Sequence, residues 1–298
     1  MTSALLIAVL AGLGGMLGWG FSEFATKKSV DKIGTISSLV WAHVFGTIAL
    51  FILLFARLSL SSEPINLYFS LEEWAGFLFF GTLQTVVYYF AYKAFEKGQV
   101  SILSPIFASF AGFVALFSVI FFGEVVHGAL ALALLVIFGG VILINLDIES
   151  LKLNKIRIKS VPGLREILIA TALATVWTLG WNKFTVGKDW LSYTTLMFVF
   201  MTLSAFILAY LSKTNLLEAK PGVWKFLWLI GLGEVVAYLA ITTGYSSTSY
   251  TSVVAILSGA SSLPTIVLAR IFLKEKVGRS QVIASIIIIA GIVLLSVH

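Results

Sequence analysis

Glu234 is an isolated acidic residue in the middle of the apolar segment LIGLGEVVAYLA, with no Lys or Arg within two helical turns. A charge at the centre of a membrane helix costs about 2.5 to 3.5 kcal/mol, so an acid retained there is a functional candidate by default. Such a carboxyl can take up and release a proton, or hold a cationic group when it is ionised. The alternative is a protonated side chain that hydrogen-bonds to a neighbouring helix and serves packing alone.

Aromatic side chains accompany this acid at helical spacing. Tyr238 follows Glu234 by four residues, and residues four apart share one face of a helix. Two further pairs with this spacing are Tyr88 with Tyr92 and Trp177 with Trp181. Tyr88, Tyr238 and Trp177 lie deeper in their apolar segments than the interfacial belt where Trp and Tyr usually collect. Aromatic faces beside a carboxylate suit an organic cation or the flat side of an aromatic substrate.

Three other polar residues lie in apolar segments. Gln84 is at mid-depth, where it either lines a cavity or makes an interhelical hydrogen bond. His43, in WAHVFG, is either a neutral imidazole bonded to a nearby Ser or carbonyl, or part of a proton relay. Glu23, in WGFSEFATKK, lies four residues before Lys27, which predicts an interfacial ion pair; the alternative is a gate residue on the face of Trp19.

Two prolines fall inside apolar segments. Pro105 and Pro264 each remove a backbone hydrogen bond and bend a helix, so they are candidate hinges, although membrane helices also tolerate proline for packing alone. Near the end of another segment, Asn182 precedes Lys183, whose ammonium group we expect to reach water as an anchor.

The elements that position these residues are predicted to be membrane-spanning helices. The chain has 298 residues, of which 59% are hydrophobic and 11% charged, and apolar runs of about 20 residues recur along it. This composition indicates an integral, multi-pass membrane protein. The ten predicted helices cover 3–26, 35–56, 74–95, 101–122, 128–146, 165–185, 190–212, 222–245, 250–272 and 279–297.

Lys and Arg are distributed unevenly between the two sets of connections. The set that follows the even-numbered helices, here called the charge-poor face, contains only Arg57, Lys183 and Lys188. The other set, the charge-rich face, contains the remaining 17 of the 20 basic residues. By the positive-inside rule the charge-rich face is cytoplasmic and both termini are outside. The net charge of +6 is therefore assigned to orientation in the membrane, not to nucleic-acid binding.

Several function classes are excluded by inventory. The chain has no Cys, which excludes disulfides, thiolate metal sites and cysteine nucleophiles. It has no HExxH motif and no glycine-rich phosphate loop, and no Ser has a recognisable base beside it. We therefore expect no enzyme activity, no metal site and no cofactor.

The chain contains an internal repeat. A constant shift of 151 residues places Ser101 on Ser252 and Glu124 on Glu275, and further upstream a shift of 150 superposes other residues. The pairs matched upstream are Trp74 with Trp224, Gly81 with Gly231, Gln84 with Glu234 and Tyr88 with Tyr238. Each half has five spans, an odd number, so the halves cross the membrane in opposite directions. Inverted repeats of this kind build many secondary transporters, with the substrate site near the midplane.

The ten spans, the two repeats, the segment GWGFSEF and the breaks FFGEVV and FLKEKV resemble the EamA type of the drug/metabolite transporter (DMT) superfamily. The resemblance covers essentially the whole chain. It implies an all-α fold of two inverted five-helix repeats, with the first in 1–146, a connecting loop in 147–163 and the second in 164–298. It also implies carriage of small metabolites by alternating access. Members are usually drawn with both termini in the cytoplasm, opposite to the orientation that Lys and Arg indicate.

The predicted function is therefore secondary transport of a small polar or amphipathic metabolite, such as an amino acid or organic cation, with proton coupling through Glu234. A flippase for a lipid or lipid-linked substrate is the alternative, and a channel-like protein a further one. Expected partners are the substrate and membrane lipids, in a monomer or homodimer of a prokaryotic cytoplasmic membrane. The candidate substrate-binding residues are Trp19, Gln84, Tyr88, Trp177, Trp181, Glu234 and Tyr238, and the candidate gate or proton-relay residues are Glu23, His43 and Glu234.

Overall fold

A computed structural model describes residues 3–60, 68–145, 161–217, 221–275 and 278–296, and all regular structure in these ranges is helical. Most of the predicted connecting loop, 147–163, lies outside the described residues. The helices are α1 (Ser3–Leu60), α2 (Leu71–Lys97), α3 (Val100–Ala108), α4 (Phe110–Phe122), α5 (Gly128–Asn145), α6 (Leu164–Thr185), α7 (Trp190–Leu211), α8 (Trp224–Ser247), α9 (Thr251–Gly259), α10 (Ser262–Leu268) and α11 (Arg279–Ser296).

Helix α1 contains the first two spans in one run. The prediction of a break from 27 to 34 is wrong, because helical structure continues through this segment and is interrupted only at Gly34 (φ 77°, ψ 171°). A left-handed φ of this kind favours glycine, which has no Cβ to clash with the backbone. Two of the charged residues before it have local partners, since the Lys27 ammonium contacts Asp31 at 2.8 Å and donates to the Phe95 carbonyl at 2.8 Å. The turn between the first two spans is therefore a single residue.

The helices fit a multi-pass membrane protein. In the part of the chain that the structure describes, six helical segments are long and apolar enough to cross a membrane, and α1 is long enough to do so twice. Helices α5 and α11 contain shorter apolar stretches, 130–140 and 282–291. Within the described residues, α3 with α4 forms one interrupted span, and α9 with α10 and a π-helical turn (Ala269–Leu273) forms another. With α6, which has 22 residues but is not among the six apolar segments, the described helices make up the ten predicted spans.

The two interrupted spans break at positions related by the repeat. The first break is at Ser109 and the second at Ala260, which the shift of 151 superposes. The breaks face each other, since a Cβ on Gly259 would collide with Ala111. The predicted hinges, Pro105 and Pro264, lie four residues before the first break and four residues after the second. The prolines are therefore near the breaks, but the shift of 151 superposes the two breaks and does not superpose the two prolines.

The two repeats interlock. Helix α1 packs along α8 of the second repeat, α2 packs against α6 and α7, and α4 packs against α9. Helices α5 and α11, the last spans of the two repeats, pack on each other through Gly140 and Gly291, which the shift of 151 also superposes. One pair of equivalent connections differs by a single residue: residues 98–99 join α2 to α3, whereas residues 248–250 join α8 to α9. This additional residue changes the repeat shift from 150 to 151.

Candidate functional site

Glycine contacts bring α8 unusually close to both halves of α1. A Cβ on Gly233 would lie 2.7 Å from the Gly18 carbonyl oxygen, and a Cβ on Gly231 would lie 2.6 Å from the Ala42 carbonyl oxygen. Side chains larger than hydrogen would force the backbones apart at both crossings. Glu234, next to these glycines, is therefore held between the first and second spans.

Glu234 is completely buried and has partners on three other segments. His43 Nε2 lies 3.3 Å from Glu234 Oε2, off the line of a hydrogen bond. Tyr92 donates its hydroxyl to Oε1 at 2.7 Å, and the Ser22 hydroxyl lies 3.5 Å from the same atom. Neither ring nitrogen of His43 makes a hydrogen bond within the described residues, so the bond to a Ser or carbonyl, one of the two alternatives for this residue, is not present. The arrangement places an imidazole and a carboxyl where they can exchange a proton.

Two tyrosines related by the repeat meet beside this pair. Tyr238 donates its hydroxyl to the Tyr88 hydroxyl at 3.0 Å, and Gln84 donates its amide to Tyr238 at 2.5 Å. Gln84 thus makes an interhelical hydrogen bond, one of the two alternatives given for it, and its partner lies one helical turn from Glu234. Because the shift of 150 superposes Tyr88 on Tyr238, the approximate twofold axis between the repeats passes near their hydroxyls. The site is thus built from both repeats.

An aromatic enclosure surrounds this centre. The rings of Trp19, Trp177 and Phe198 meet the Tyr238 ring edge to face, with centroids 5.8, 5.6 and 5.4 Å away. Trp181 stacks on Trp177 at 5.4 Å and donates its indole N–H to Thr242 at 3.1 Å. The predicted aromatic residues therefore lie together, and ring faces of this kind attract a cationic or aromatic group.

Glu23 is a second buried carboxyl, and its predicted ion pair with Lys27 is wrong. Its Oε2 accepts from Thr265 at 2.9 Å and from Ser104, and its Oε1 accepts from Ser261 at 3.3 Å. Lys27 instead points to Asp31 and the end of α2. Within the part of the chain that the structure describes, no Lys, Arg or His pairs with Glu23.

A small cavity joins Glu23 to the aromatic centre. Its volume is about 20 Å³, which is room for roughly one water molecule. Two buried polar atoms of its lining, Trp19 Nε1 and Gln84 Oε1, make no hydrogen bond within the described residues. Buried polar atoms are normally bonded, so one unpaired donor and one unpaired acceptor indicate a place for a polar ligand. The lining residues are Trp19, Glu23, Gln84, Tyr88, Phe107, Phe110, Ala174, Trp177, Thr178 and Ser261.

A larger opening, here called the vestibule, lies on the charge-poor face. It has a volume of about 870 Å³ and is lined by the ends of α4, α6 and α8 and the residues that follow them. Asn182 and Lys183 lie at its wall, and the exposed Lys183 ammonium sits 5.3 Å from the centroid of the Phe122 ring, as expected of an anchor. Asn182 is four residues, or about 6 Å, from Thr178 of the central cavity. The vestibule therefore approaches the cavity to within one helical turn.

Two glutamates, each after the end of one interrupted span, accept hydrogen bonds from the start of the other interrupted span. Ser252, at the start of α9, donates its backbone N–H to Glu124 at 3.0 Å and also donates its hydroxyl. Ser101, at the start of α3, donates its backbone N–H to Glu275 at 3.2 Å. The shift of 151 exchanges these two contacts, which lie on opposite faces. After the orientation that Lys and Arg indicate, the contact of Ser252 with Glu124 at the charge-poor face is here called the outer latch, and that of Ser101 with Glu275 at the charge-rich face the inner latch. The pKa of Glu124 is raised, because the effect of burial exceeds that of the bonds from Ser252, which lower it.

Comparison with known proteins decides the family. The model of the EamA-like transporter family matches residues 6–146 and 164–297, once for each repeat. The chain belongs to the EamA-like transporter family. This family is part of the DMT superfamily and has a ten-helix, two-repeat fold, so the buried site described above lies inside a membrane transporter of small solutes.

One solved crystal structure has the same fold as this EamA-like chain. It superposes with a TM-score of 0.72 over 97% of this chain and 96% of the other at 16% sequence identity, which is evidence for the fold alone. A search of curated protein sequences finds no match. Membership of the family supports a transport role and not an enzymatic one.

Sequence analysis did not identify every residue of the buried site. Tyr92 was placed on the face of Tyr88 but was not chosen as a site residue, and its spacing was the available signal. Ser104, Ser261 and Thr265 were missed because isolated hydroxyl residues in apolar helices are common and carry no spacing signal of their own.

Proposed function

We propose that the chain is a proton-coupled, alternating-access carrier of a small amphipathic metabolite with a protonated amine, in the cytoplasmic membrane of a prokaryote. The observation that carries this proposal is a closed polar centre, built from both repeats, in which two buried carboxyls have different surroundings. Glu23 is the proposed ligand of the substrate amine, and His43 with Glu234 is the proposed proton site.

The case for Glu23 rests on charge. An ionised carboxylate buried among hydroxyls and without a basic partner is unfavourable, and a cation that binds beside it removes this cost. The adjacent cavity has aromatic faces for a cation, an unpaired indole N–H and an unpaired amide oxygen. The cavity now has room for roughly one water molecule, so it must widen during the cycle to admit a substrate. A compact molecule with an ammonium group and a hydrogen-bond acceptor, as in an amino acid or a related amine, would then satisfy these groups together.

The case for Glu234 rests on its partners. A fully buried carboxyl that contacts an imidazole and a phenol can gain or lose a proton without exposure to lipid. Ser22, which contacts Glu234, adjoins Glu23 in α1, so the two carboxyls are joined through one helix. Movement of that helix when an amine binds would change the contacts of Glu234 and thereby couple substrate to proton.

The case for alternating access rests on the latches. Each latch ties the start of one interrupted span to the end of its repeat mate, on opposite faces of the membrane. The breaks at Ser109 and Ala260 let the two halves of these spans tilt independently. In the proposed cycle one latch opens while the other remains closed, and the cavity faces each compartment in turn.

The test is counterflow in proteoliposomes with a panel of radiolabelled amines, amino acids and neutral analogues. We expect saturable counterflow of an amine, which Glu23→Gln abolishes because the cation loses its carboxylate. Glu234→Gln should retain counterflow, which needs no net proton movement, but should lose accumulation driven by a proton gradient. Lys188→Gln, on the charge-poor face, is the control and should retain both.

Two results would contradict the proposal. If Glu23→Gln left amine counterflow unchanged, the amine-binding role would be wrong. If Glu234→Gln left uptake and its pH dependence unchanged, the proton-coupling role would be wrong. Linear, unsaturable flux would instead indicate a channel, and stimulation by lipid substrates would indicate a flippase.

A further inference from the structure

A groove on the charge-rich face combines basic and apolar side chains. It has a volume of about 460 Å³ and lies between the end of the first span, the start of α8 and the π-helical turn. Its lining consists of Phe24, Lys28, Lys225, Phe226, Leu229 and Phe272. Among the residues that the structure describes, this lining contains two Lys and no acidic residue.

The positive charge around this groove is concentrated. Lys32, one helical turn beyond Lys28, places its ammonium 5.3 Å from the centroid of the Phe226 ring, and Lys225 places its own at 5.2 Å from the same ring. Within the described residues, none of these three lysines forms an ion pair. Like charges four apart on a helix repel each other, so an anion between them would be stabilising.

The apolar part of the groove faces lipid. The Phe24 and Phe272 rings pack with centroids 5.6 Å apart, and Phe272 is 59% exposed. Two further side chains of α1 are also exposed: Phe21 and Leu17, which lie nearer the middle of the first span than Phe24 does. An acyl chain could therefore follow this surface while its headgroup stays among the lysines.

We propose that this groove is a binding site for an anionic phospholipid, with the phosphate near Lys28 and Lys225 and an acyl chain along Phe24 and Phe272. The occupant is identified by charge complementarity, because clustered basic residues at a helix end bind the phosphates of anionic lipids. The position of the groove also fits a lipid, since the lysines lie next to exposed aromatic side chains. A soluble phosphate would satisfy the charge but leave the aromatic surface uncovered. The proposal is independent of the substrate and of proton coupling.

The test is native mass spectrometry of the full chain, purified in neutral detergent, with phosphatidylglycerol and phosphatidylcholine of the same acyl chains. We expect selective retention of phosphatidylglycerol. The double variant Lys28→Gln, Lys225→Gln should bind it roughly 25-fold more weakly, because each Lys near an anionic surface contributes about fivefold.

Lys93→Gln is the matched control. Lys93 is partly buried, as Lys28 is, and lies on the charge-rich face. Its ammonium is 5.2 Å from an aromatic ring, that of Tyr89, but its groove contains Glu96. This variant should bind phosphatidylglycerol as the unmodified chain does, and equal thermal unfolding of all variants in lipid-free detergent shows that they fold. Three outcomes would overturn the proposal: equal binding of the two lipids, undiminished binding by the double variant, or full displacement of the lipid by glycerol phosphate at equal concentration.

Discussion

The two buried glutamates differ in what can neutralise them. Glu234 touches an imidazole and a phenol, whereas Glu23 touches three hydroxyls and no base among the described residues. A carboxyl beside His43 has a partner within the protein that can accept its proton. A carboxyl among hydroxyls depends on a proton or a cation from outside. The same side chain therefore suits two steps of a transport cycle, and the difference comes from its neighbours.

The contact between His43 and Glu234 should appear as energetic coupling. We expect the effects of His43→Gln and Glu234→Gln on the free energy of unfolding in mixed micelles to be non-additive by about 0.5 to 3 kcal/mol, because each single variant already breaks the pair. The control combines His43→Gln with Glu73→Gln. Glu73, at the start of α2, bonds to Ser70, Lys188 and Tyr193 and shares none of these partners with His43. Additivity for His43 with Glu234 would show that their contact has no energetic weight.

Helices and their glycines set the geometry in which these residues meet. The apolar runs predicted the spans well, because length and hydropathy are properties of each segment alone. The continuity of α1 through Lys27 and Lys32 was not predictable in this way, because it depends on partners such as the Phe95 carbonyl on α2. The pairing of Glu234 with His43 depends on how α8 and α1 are rotated against each other, which one sequence does not specify.

Gly231 is the sharpest test of this helix geometry. Gly231→Ala would place a methyl group 2.6 Å from the Ala42 carbonyl oxygen and 2.8 Å from the Gly46 nitrogen, so backbone must move. We expect destabilisation of about 1 to 3 kcal/mol and a lower thermal unfolding temperature. Gly139→Ala is the control, since a Cβ there has nothing within 4 Å, and it should be neutral or stabilising by up to about 1 kcal/mol. Equal destabilisation in the two variants would contradict the close contact of α8 with α1 at Gly231.

At the scale of the whole molecule, the repeat is the main organising feature. It was visible in the sequence as matched residues at shifts of 150 and 151, and the structure adds which of them touch: Tyr88 with Tyr238, and the two latches. The latches could not be predicted from the alignment of the repeats, because each joins a Glu of one repeat to a Ser of the other.

The latches should bias access in opposite directions. The chain has no Cys, so Ser249→Cys in the vestibule can be labelled alone with a membrane-impermeant maleimide. Glu124→Gln weakens the outer latch and should raise the labelling rate several-fold, whereas Glu275→Gln weakens the inner latch and should lower it. Ser249→Cys without a latch substitution is the reference. Rates that change in the same direction in both variants would exclude reciprocal gating.

The extra residue between α8 and α9 is one of the differences between the repeats that make the two half-cycles unequal. A carrier with exact internal symmetry would spend equal time facing each compartment, but the connections at residues 98–99 and 248–250 differ in length. The unloaded carrier should therefore rest facing one side, and its half-saturation concentration should differ between the two sides of a vesicle. Without a proton gradient, detailed balance keeps the ratio of maximal rate to half-saturation the same in both directions. A residue in a loop can therefore change the substrate concentration at which transport saturates on each side of the membrane. It does not change the equilibrium distribution of the substrate.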